Sequence, residues 1–402
     1  LGEFHPNDLD PFLLFDARDS MIGTLENPTL DLDPSKPDTL NVITATRAGT
    51  ATFTDVNGNI ASAPANTVRV DYVDGVPMIL VEPAATNLLT NSENISNAAW
   101  TKFGAGTGVA PTVTPDFGTS PDGTLSASRV QFNKGSGTSV GDQSVIFDSA
   151  QTSSGAITTK SVYLKSNTTE SYEMVIYETT DASGTNVKKI TVTPDWQRFN
   201  VYGAISATTT GITIGLREIS VSGLSNIADV LVWGAQVETG SVATSLIPTA
   251  GGNAAARTRA ADNLEITGSA FSDFYNGSEG TFYVEVVDRQ VTGSSHSYIV
   301  GQSASQFFLY KDSGSAQITS FDAGTGMNKS PLVANQLMRL ALTYKSASPA
   351  SRSLSLDGST SDGSYNGNFS SANILKIGGG YSDVFSGYFR RILFWPYHSD
   401  NL

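Results

Sequence analysis

Hydrophobic positions along this 402-residue chain recur at every second residue, not at every third or fourth. Val162 and Leu164, then Tyr172, Met174 and Ile176, then Phe199 and Val201, then Ile212, Ile214 and Leu216 alternate with polar neighbours. The same period returns in Phe282, Val284 and Val286 and in Leu340, Leu342 and Tyr344. A two-residue period places apolar groups on one face of a half-buried strand. Gly, Asn and Ser clusters bound each run. Asp-Val-Asn-Gly-Asn at 55–59 and Asp357-Gly358 supply the positive φ that tight hairpin turns need. No amphipathic helix longer than two turns is legible, so the pattern predicts an all-β chain.

The spacing of these runs divides the chain. Residues 1–87 are turn-rich, interrupted by Pro28, Pro34 and Pro37, with only short strand-like pieces. So small and polar a span cannot build a large core alone, and it is expected to be an attachment or docking segment. Residues 88–248 and 263–402 each carry enough alternating runs for a β-sandwich. Between them, the apolar run Val230, Leu231, Val232 and Trp233 gives way to Gly, Ser, Thr and Pro, and 249–262 reads as a linker. The expected fold class is tandem antiparallel β-sandwiches after a small turn-rich β segment.

Composition narrows the function. The chain has no cysteine, which excludes a disulfide scaffold and thiolate metal sites. Its 24 basic and 38 acidic residues give a net charge of −14, which repels phosphate backbones and argues against nucleic acid. Neutral sugars, or acidic ones reached through a bound cation, remain compatible with that charge. No apolar run approaches the ~20 residues that span a bilayer, so membrane insertion is not expected.

Several runs resemble a known family. Trp-Gly-Ala-Gln-Val-Glu-Thr-Gly-Ser-Val-Ala-Thr-Ser-Leu-Ile-Pro-Thr at 233–249 and Arg-Thr-Arg-Ala-Ala-Asp at 257–262 resemble a linker of tail and appendage proteins from double-stranded DNA bacteriophages. The match continues in Thr-Arg-Ala-Gly-Thr-Ala-Thr-Phe-Thr-Asp-Val-Asn-Gly at 46–58 and in Leu-Val-Glu-Pro-Ala-Ala-Thr-Asn-Leu-Leu-Thr-Asn-Ser-Glu at 80–93. The order Glu93, Trp100, Ser-Val-Tyr-Leu-Lys165, Pro-Asp-Trp-Gln-Arg-Phe199 and Asp229-Val-Leu-Val-Trp233 resembles jelly-roll carbohydrate-binding modules. The carboxy-terminal succession, from the Asp-Gly strand through Ile377-Gly378 to a final strand closing on Trp395, resembles the concanavalin A-like (laminin G-like) lectin fold. The resemblance implies a virion tail fibre, spike or receptor-binding protein, made in the host cytoplasm. It would bind host surface polysaccharide or lipopolysaccharide and dock on other tail proteins through its amino-terminal segment. Fibres of this type imply a homotrimer. A tail polysaccharide depolymerase and a virion decoration protein that binds no sugar are the competing readings.

Catalytic patterns are weak. Gly-Thr-Ser-Val-Gly at 137–141 matches a serine-hydrolase elbow, but a strand-like run follows it where a helix is required. His5, His296 and His398 lie far apart without a second His at metal-ligand spacing. Glu285 with Asp288, and Glu173 with Glu178, have odd separations that point each pair to opposite faces of a regular strand, whereas glycosidase carboxylates must converge. No enzymatic activity is expected. Phe308, Tyr310 and Tyr381 lie in or beside Gly- and Ser-rich segments and are the candidate sugar-stacking rings, with Tyr365 as a further loop tyrosine. Trp196 and Trp233 sit in strand patterns and read as packing. By resemblance to the jelly-roll modules, Glu93 and Asp229 are the candidate ligands of a structural Ca²⁺.

Overall fold

A computed structural model describes residues 27–180, 185–249, 257–290, 296–302, 307–312, 314–322, 325–365, 368–379 and 384–399. Strands dominate; among the described residues the only α-helix is the single turn Ser269–Ser272. The chain forms two compact units. One comprises 85–259 with 59–61; the other joins residues up to 58 and 62–84 with 260–402.

The unit 85–259 is a two-sheet antiparallel sandwich of five strands each. One sheet runs Gln197–Ala204, Ile157–Ser166, Ile227–Thr239, Leu125–Asn133, Val109–Thr119; the other runs Val187–Val192, Tyr172–Glu178, Thr209–Arg217, Gln143–Gln151, Thr101–Ala105. The alternating residues meet between the sheets: Val162, Leu164, Val230 and Val232 from the first face Met174, Ile176, Ile212 and Ile214 from the second, all fully buried. A charged pair lies in this core. Lys160 Nζ meets Glu178 across the sheets, and Glu178 also accepts from Thr210 Oγ1 (2.8 Å) and the Gly211 N–H (2.9 Å).

The other unit is a larger sandwich of an eight-stranded and a seven-stranded sheet. Its eight-stranded sheet is centred on Glu279–Asp288, flanked by Leu337–Lys345 and Gly387–Trp395. Its seven-stranded sheet runs Thr44–Thr46, Asn263–Thr267, Ile374–Ile377, Ser297–Gly301, Phe307–Lys311, Ile318–Asp322, Thr325–Lys329.

Here the structure departs from the sequence reading. The described part of 1–87 is not a separate segment. Leu30–Leu32 and Val76–Val81 pair with successive halves of Gly387–Trp395, and Thr44–Thr46 pairs with Asn263–Thr267. Leu30, Leu32, Ile79 and Val81 pack in one core with Phe282, Val284 and Phe394. A span too small for its own core has instead supplied strands to a larger one. The sandwich 85–259 is thus an insertion, in sequence, within the other unit. Its two ends, Ala85–Asn87 and Arg257–Arg259, pair antiparallel, which sets them side by side as domain insertion requires.

Candidate functional site

The polar runs that carry the phage resemblance turn out to be locks. Asp262, 2% exposed, accepts from Arg47 Nη1 (2.9 Å), from Arg69 Nη2 and from the Glu82 N–H (2.9 Å). Glu82, wholly buried, pairs with Arg69 (2.9 Å) and Arg289 (3.1 Å). In the inserted unit, Asn87 Oδ1 accepts the N–H groups of Leu89 (3.1 Å) and Val237 (3.2 Å), while its Nδ2 donates to the Ile247 carbonyl (3.0 Å). The stretch after Trp233 is a strap rather than a loose linker. Gln236 Oε1 accepts from the Ile247 N–H (2.7 Å), Glu238 from the Thr244 N–H (3.0 Å), and Arg198 Nη1 donates to the Thr244 carbonyl (2.6 Å). Burial pushes the Glu238 carboxyl above the ordinary range. Leu246 closes over Leu231 and Trp233, with Trp196 half-buried beside them. Thr249, at the start of the expected linker, is fully buried and accepts the Ser92 N–H (2.8 Å); 250–256 lie outside the described residues. One outer face of the inserted sandwich is therefore covered by its own chain.

The seven-stranded sheet carries a different kind of face. Ile318 and Ser320 point inward, Ile318 to the core and Ser320 Oγ to Arg352 Nη1 (3.4 Å) of the eight-stranded sheet. Thr319 between them belongs to the other face of the sheet, as strand alternation demands. Tyr310 stands opposite Thr319, and Tyr298 opposite Tyr310, so both tyrosines share that outer face. His296 and Asp312, each two residues farther along, join them: His296 Nδ1 lies 3.0 Å from Asp312 Oδ1, and the His296 ring meets Tyr310 edge-on at 5.5 Å. Thr319 Oγ1 donates to Asn328 Oδ1 (2.9 Å) on the last strand, where Asn328 is exposed. Tyr298 and Thr319 are themselves buried under their neighbours, so they form the floor of the face. Tyr310 is half-buried, and desolvation raises the pKa of its phenol. The result is a ring surface bordered by a carboxylate, an imidazole and an amide.

The sequence-predicted residues scatter around this face. Tyr310 belongs to it. Phe308 does not: it is fully buried in the core against Tyr275, Phe282 and Phe369, because the strand irregularity between 307 and 310 turns it inward. Tyr381 lies outside the described residues. Tyr365 is buried too, donating to the Gly277 carbonyl (2.9 Å) and packing on Tyr344. His296 and Tyr298 were not singled out as partners of Tyr310. Their signal was the two-residue spacing within one strand, visible only once that strand's partner is known.

Glu93 and Asp229 are not brought together. The carbonyl of Ser92 accepts the N–H of Ala235, which lies six residues along the strand from Asp229, roughly 15–20 Å at strand rise. Asp229 is instead gripped by Arg129 through Nε (2.8 Å) and Nη2, and takes Asn167 Nδ2 at 3.3 Å. Among the described residues no three His, Cys, Asp or Glu side chains cluster to hold a metal ion. Asp288 turns inward to Lys311 (3.3 Å), while Glu285, on the opposite face, lies 3.6 Å from Arg390 and accepts from Tyr283 Oη (3.0 Å). Glu173 pairs with Lys189 (3.2 Å) outside the sandwich that buries Glu178. Among the described residues a Ser–His contact that the sequence pattern does not signal joins Ser351 Oγ to His398 Nε2 at 3.4 Å.

No protein-family model and no curated protein matches the sequence. Solved structures match at low similarity. The enzymatically active domain of tailspike protein 4 from bacteriophage CBA120 is 13% identical over 38% of this chain, with TM-score 0.26, and only 21% of that protein is covered. The CBM22-1 xylan-binding domain of Paenibacillus barcinonensis Xyn10C is 14% identical over 40% of this chain and 99% of its own, with TM-score 0.28. The tail fibre protein gp63.1 of an Escherichia coli phage is 9% identical over 79% of this chain and 42% of its own, with TM-score 0.25.

Proposed function

We propose that the protein is a glycan-binding component of a bacteriophage tail appendage, and that it contacts host surface polysaccharide through the Tyr310 face. The observation that carries this reading is the half-buried Tyr310 ring on its floor of Tyr298 and Thr319, with the His296–Asp312 pair beside it. A tyrosine ring offers an apolar face for the C–H side of a pyranose and a hydroxyl for its polar edge. Asp312, His296 and Asn328 supply acceptors and donors for sugar hydroxyls. The virion identity rests on the sequence runs at 46–58, 80–93 and 233–262. One such face binds weakly, and a trimer would raise avidity through multiple attachment.

Binding without cleavage is favoured by the carboxylates weighed as catalytic pairs: Asp288 turns to Lys311 and Glu285 to Arg390 on opposite faces of one strand, and Glu178 pairs with Lys160 inside the sandwich while Glu173 pairs with Lys189 outside it. The test is a glycan array, followed by titration of the best ligand, with Tyr310→Ala and His296→Ala. Loss of one stacked ring, about 1–2 kcal/mol, weakens binding about 5- to 30-fold while the melting temperature stays unchanged. Unaltered affinity in Tyr310→Ala would place the site elsewhere. New reducing ends or unsaturated products from host polysaccharide would refute the non-enzymatic reading and direct attention to Ser351 and His398.

A further inference from the structure

We propose that the inserted sandwich locks itself with an intramolecular isopeptide bond between Lys134 Nζ and Asn226 Cγ, with Glu218 as proton carrier. Lys134 follows the strand Leu125–Asn133, and Asn226 precedes Ile227–Thr239; the two strands pair with Asn133 opposite Ile227. The Lys134 N–H donates to the Asn226 carbonyl (2.9 Å), so the two residues face each other across the ladder. Lys134 Nζ lies 3.2 Å from Asn226 Oδ1 and 3.4 Å from Glu218 Oε1. It also donates to the Gly137 carbonyl at 2.7 Å, which fixes its direction. Glu218 comes from the opposite sheet, directly after Thr209–Arg217. The Lys134 side chain is 1% exposed and that of Glu218 9% exposed. The amine is thus held within hydrogen-bond reach of a carboxamide and within ion-pair reach of a carboxyl group, the three groups coming from three different strand ends.

The step balances without any co-reactant. One proton of the Lys134 ammonium first passes to the Glu218 carboxylate. The freed Nζ lone pair attacks Asn226 Cγ, and the carboxyl of Glu218 gives its proton to Nδ2 as the Cγ–Nδ2 bond breaks. Nζ then returns one proton to Glu218. One ammonia leaves, and Asn226, exposed at the rim, gives it a way out. The product joins residues 92 positions apart. In a chain without cysteine, that closure constrains the unfolded state as a disulfide would. Lys160 and Lys311 face carboxylates, Glu178 and Asp288.

High-resolution mass spectrometry of the purified full chain tests it. The expected intact mass is about 17 Da below the sequence mass, one ammonia lost through covalent modification. Digestion should then yield one linked peptide pair containing Lys134 and Asn226. Lys134→Met should show its full sequence mass, and Glu218→Gln, folded by circular dichroism, should remain unlinked. A wild-type chain at full sequence mass with no linked pair overturns the proposal. A linked Glu218→Gln chain removes Glu218 from the step and overturns the mechanism as stated.

Discussion

Asp262→Ala tests most directly whether the amino-terminal strands are held to the larger sandwich by charge. The Asp262 carboxylate is the common acceptor for Arg47 and Arg69, whose side chains are 2% and 0% exposed. Its removal leaves Arg47 with backbone carbonyls of Ala63, Pro64 and Thr67 and leaves Arg69 with Glu82. Breaking a buried pair from one side costs about 3–5 kcal/mol, because the surviving charge stays desolvated. The two pairs share one carboxylate, so the losses are not summed. For a unit of this size each kcal/mol shifts the midpoint about 2–4 °C, which gives a fall of about 6–20 °C. Differential scanning calorimetry of the full chain should resolve that fall in one transition, leaving the transition of 85–259 in place. Asp262→Asn keeps the volume but turns a donor toward two guanidinium groups, and it should lose a comparable amount. A change under about 1 kcal/mol, or a fall confined to the 85–259 transition, would show that the arginines do not need this partner.

Three further outcomes follow from the same contacts. Lys160→Met strands the Glu178 carboxylate in an apolar core and should lower the 85–259 transition by about 3–5 kcal/mol, whereas Lys160→Met with Glu178→Leu should recover most of it; equal losses in both would refute the pairing. Asp142 accepts the N–H groups of Thr107 (2.8 Å) and Ser139 (3.0 Å), which hold its carboxyl below the ordinary value of 3.8. A depressed carboxylate contributes stability that is full above the unfolded value and lost as pH falls through the lower folded value. Wild-type and Asp142→Asn melting curves should therefore differ at neutral pH and converge only in strong acid, and a constant gap would argue against the carboxylate. Residues 85–259 expressed alone should fold with a cooperative transition, and residues 1–87 alone should not; a folded 1–87 fragment would restore the reading of an independent docking segment.

The fold class was legible because strand alternation is written in neighbouring residues. Ile212, Ile214 and Leu216 fall in the core as their period requires. What the sequence could not display is partnership across distance. Val76–Val81 looks like an isolated apolar strand until it is set beside Gly387–Trp395, some three hundred residues away. The same blindness explains Phe308 and Tyr310. Both are aromatic and two residues apart, the spacing that shares one face of a regular strand, yet an irregular register at 307–310 separates them into core and surface. Glu93 and Asp229 were joined by resemblance alone, and the strand geometry keeps them apart.

The runs that look most like phage proteins are also the ones that do the least at the surface. Arg47, Glu82, Asn87, Gln236, Thr249 and Asp262 are all buried, and they spend their polar groups on the backbone, on one another, or on Arg69, Arg289 and Ser92. A buried polar group must find its partners within the chain, and few alternatives satisfy the same geometry. Such residues read strongly from sequence because their chemistry is dictated internally. The proposed Tyr310 face has partly exposed side chains, Tyr310, His296 and Asp312, at the outer side of the sheet. Its outermost side chains can change without unpairing a strand or stranding a charge, so no pattern in the sequence compels them. Architecture was therefore readable from motifs, while the proposed recognition face is found only from which side chains the architecture leaves turned outward.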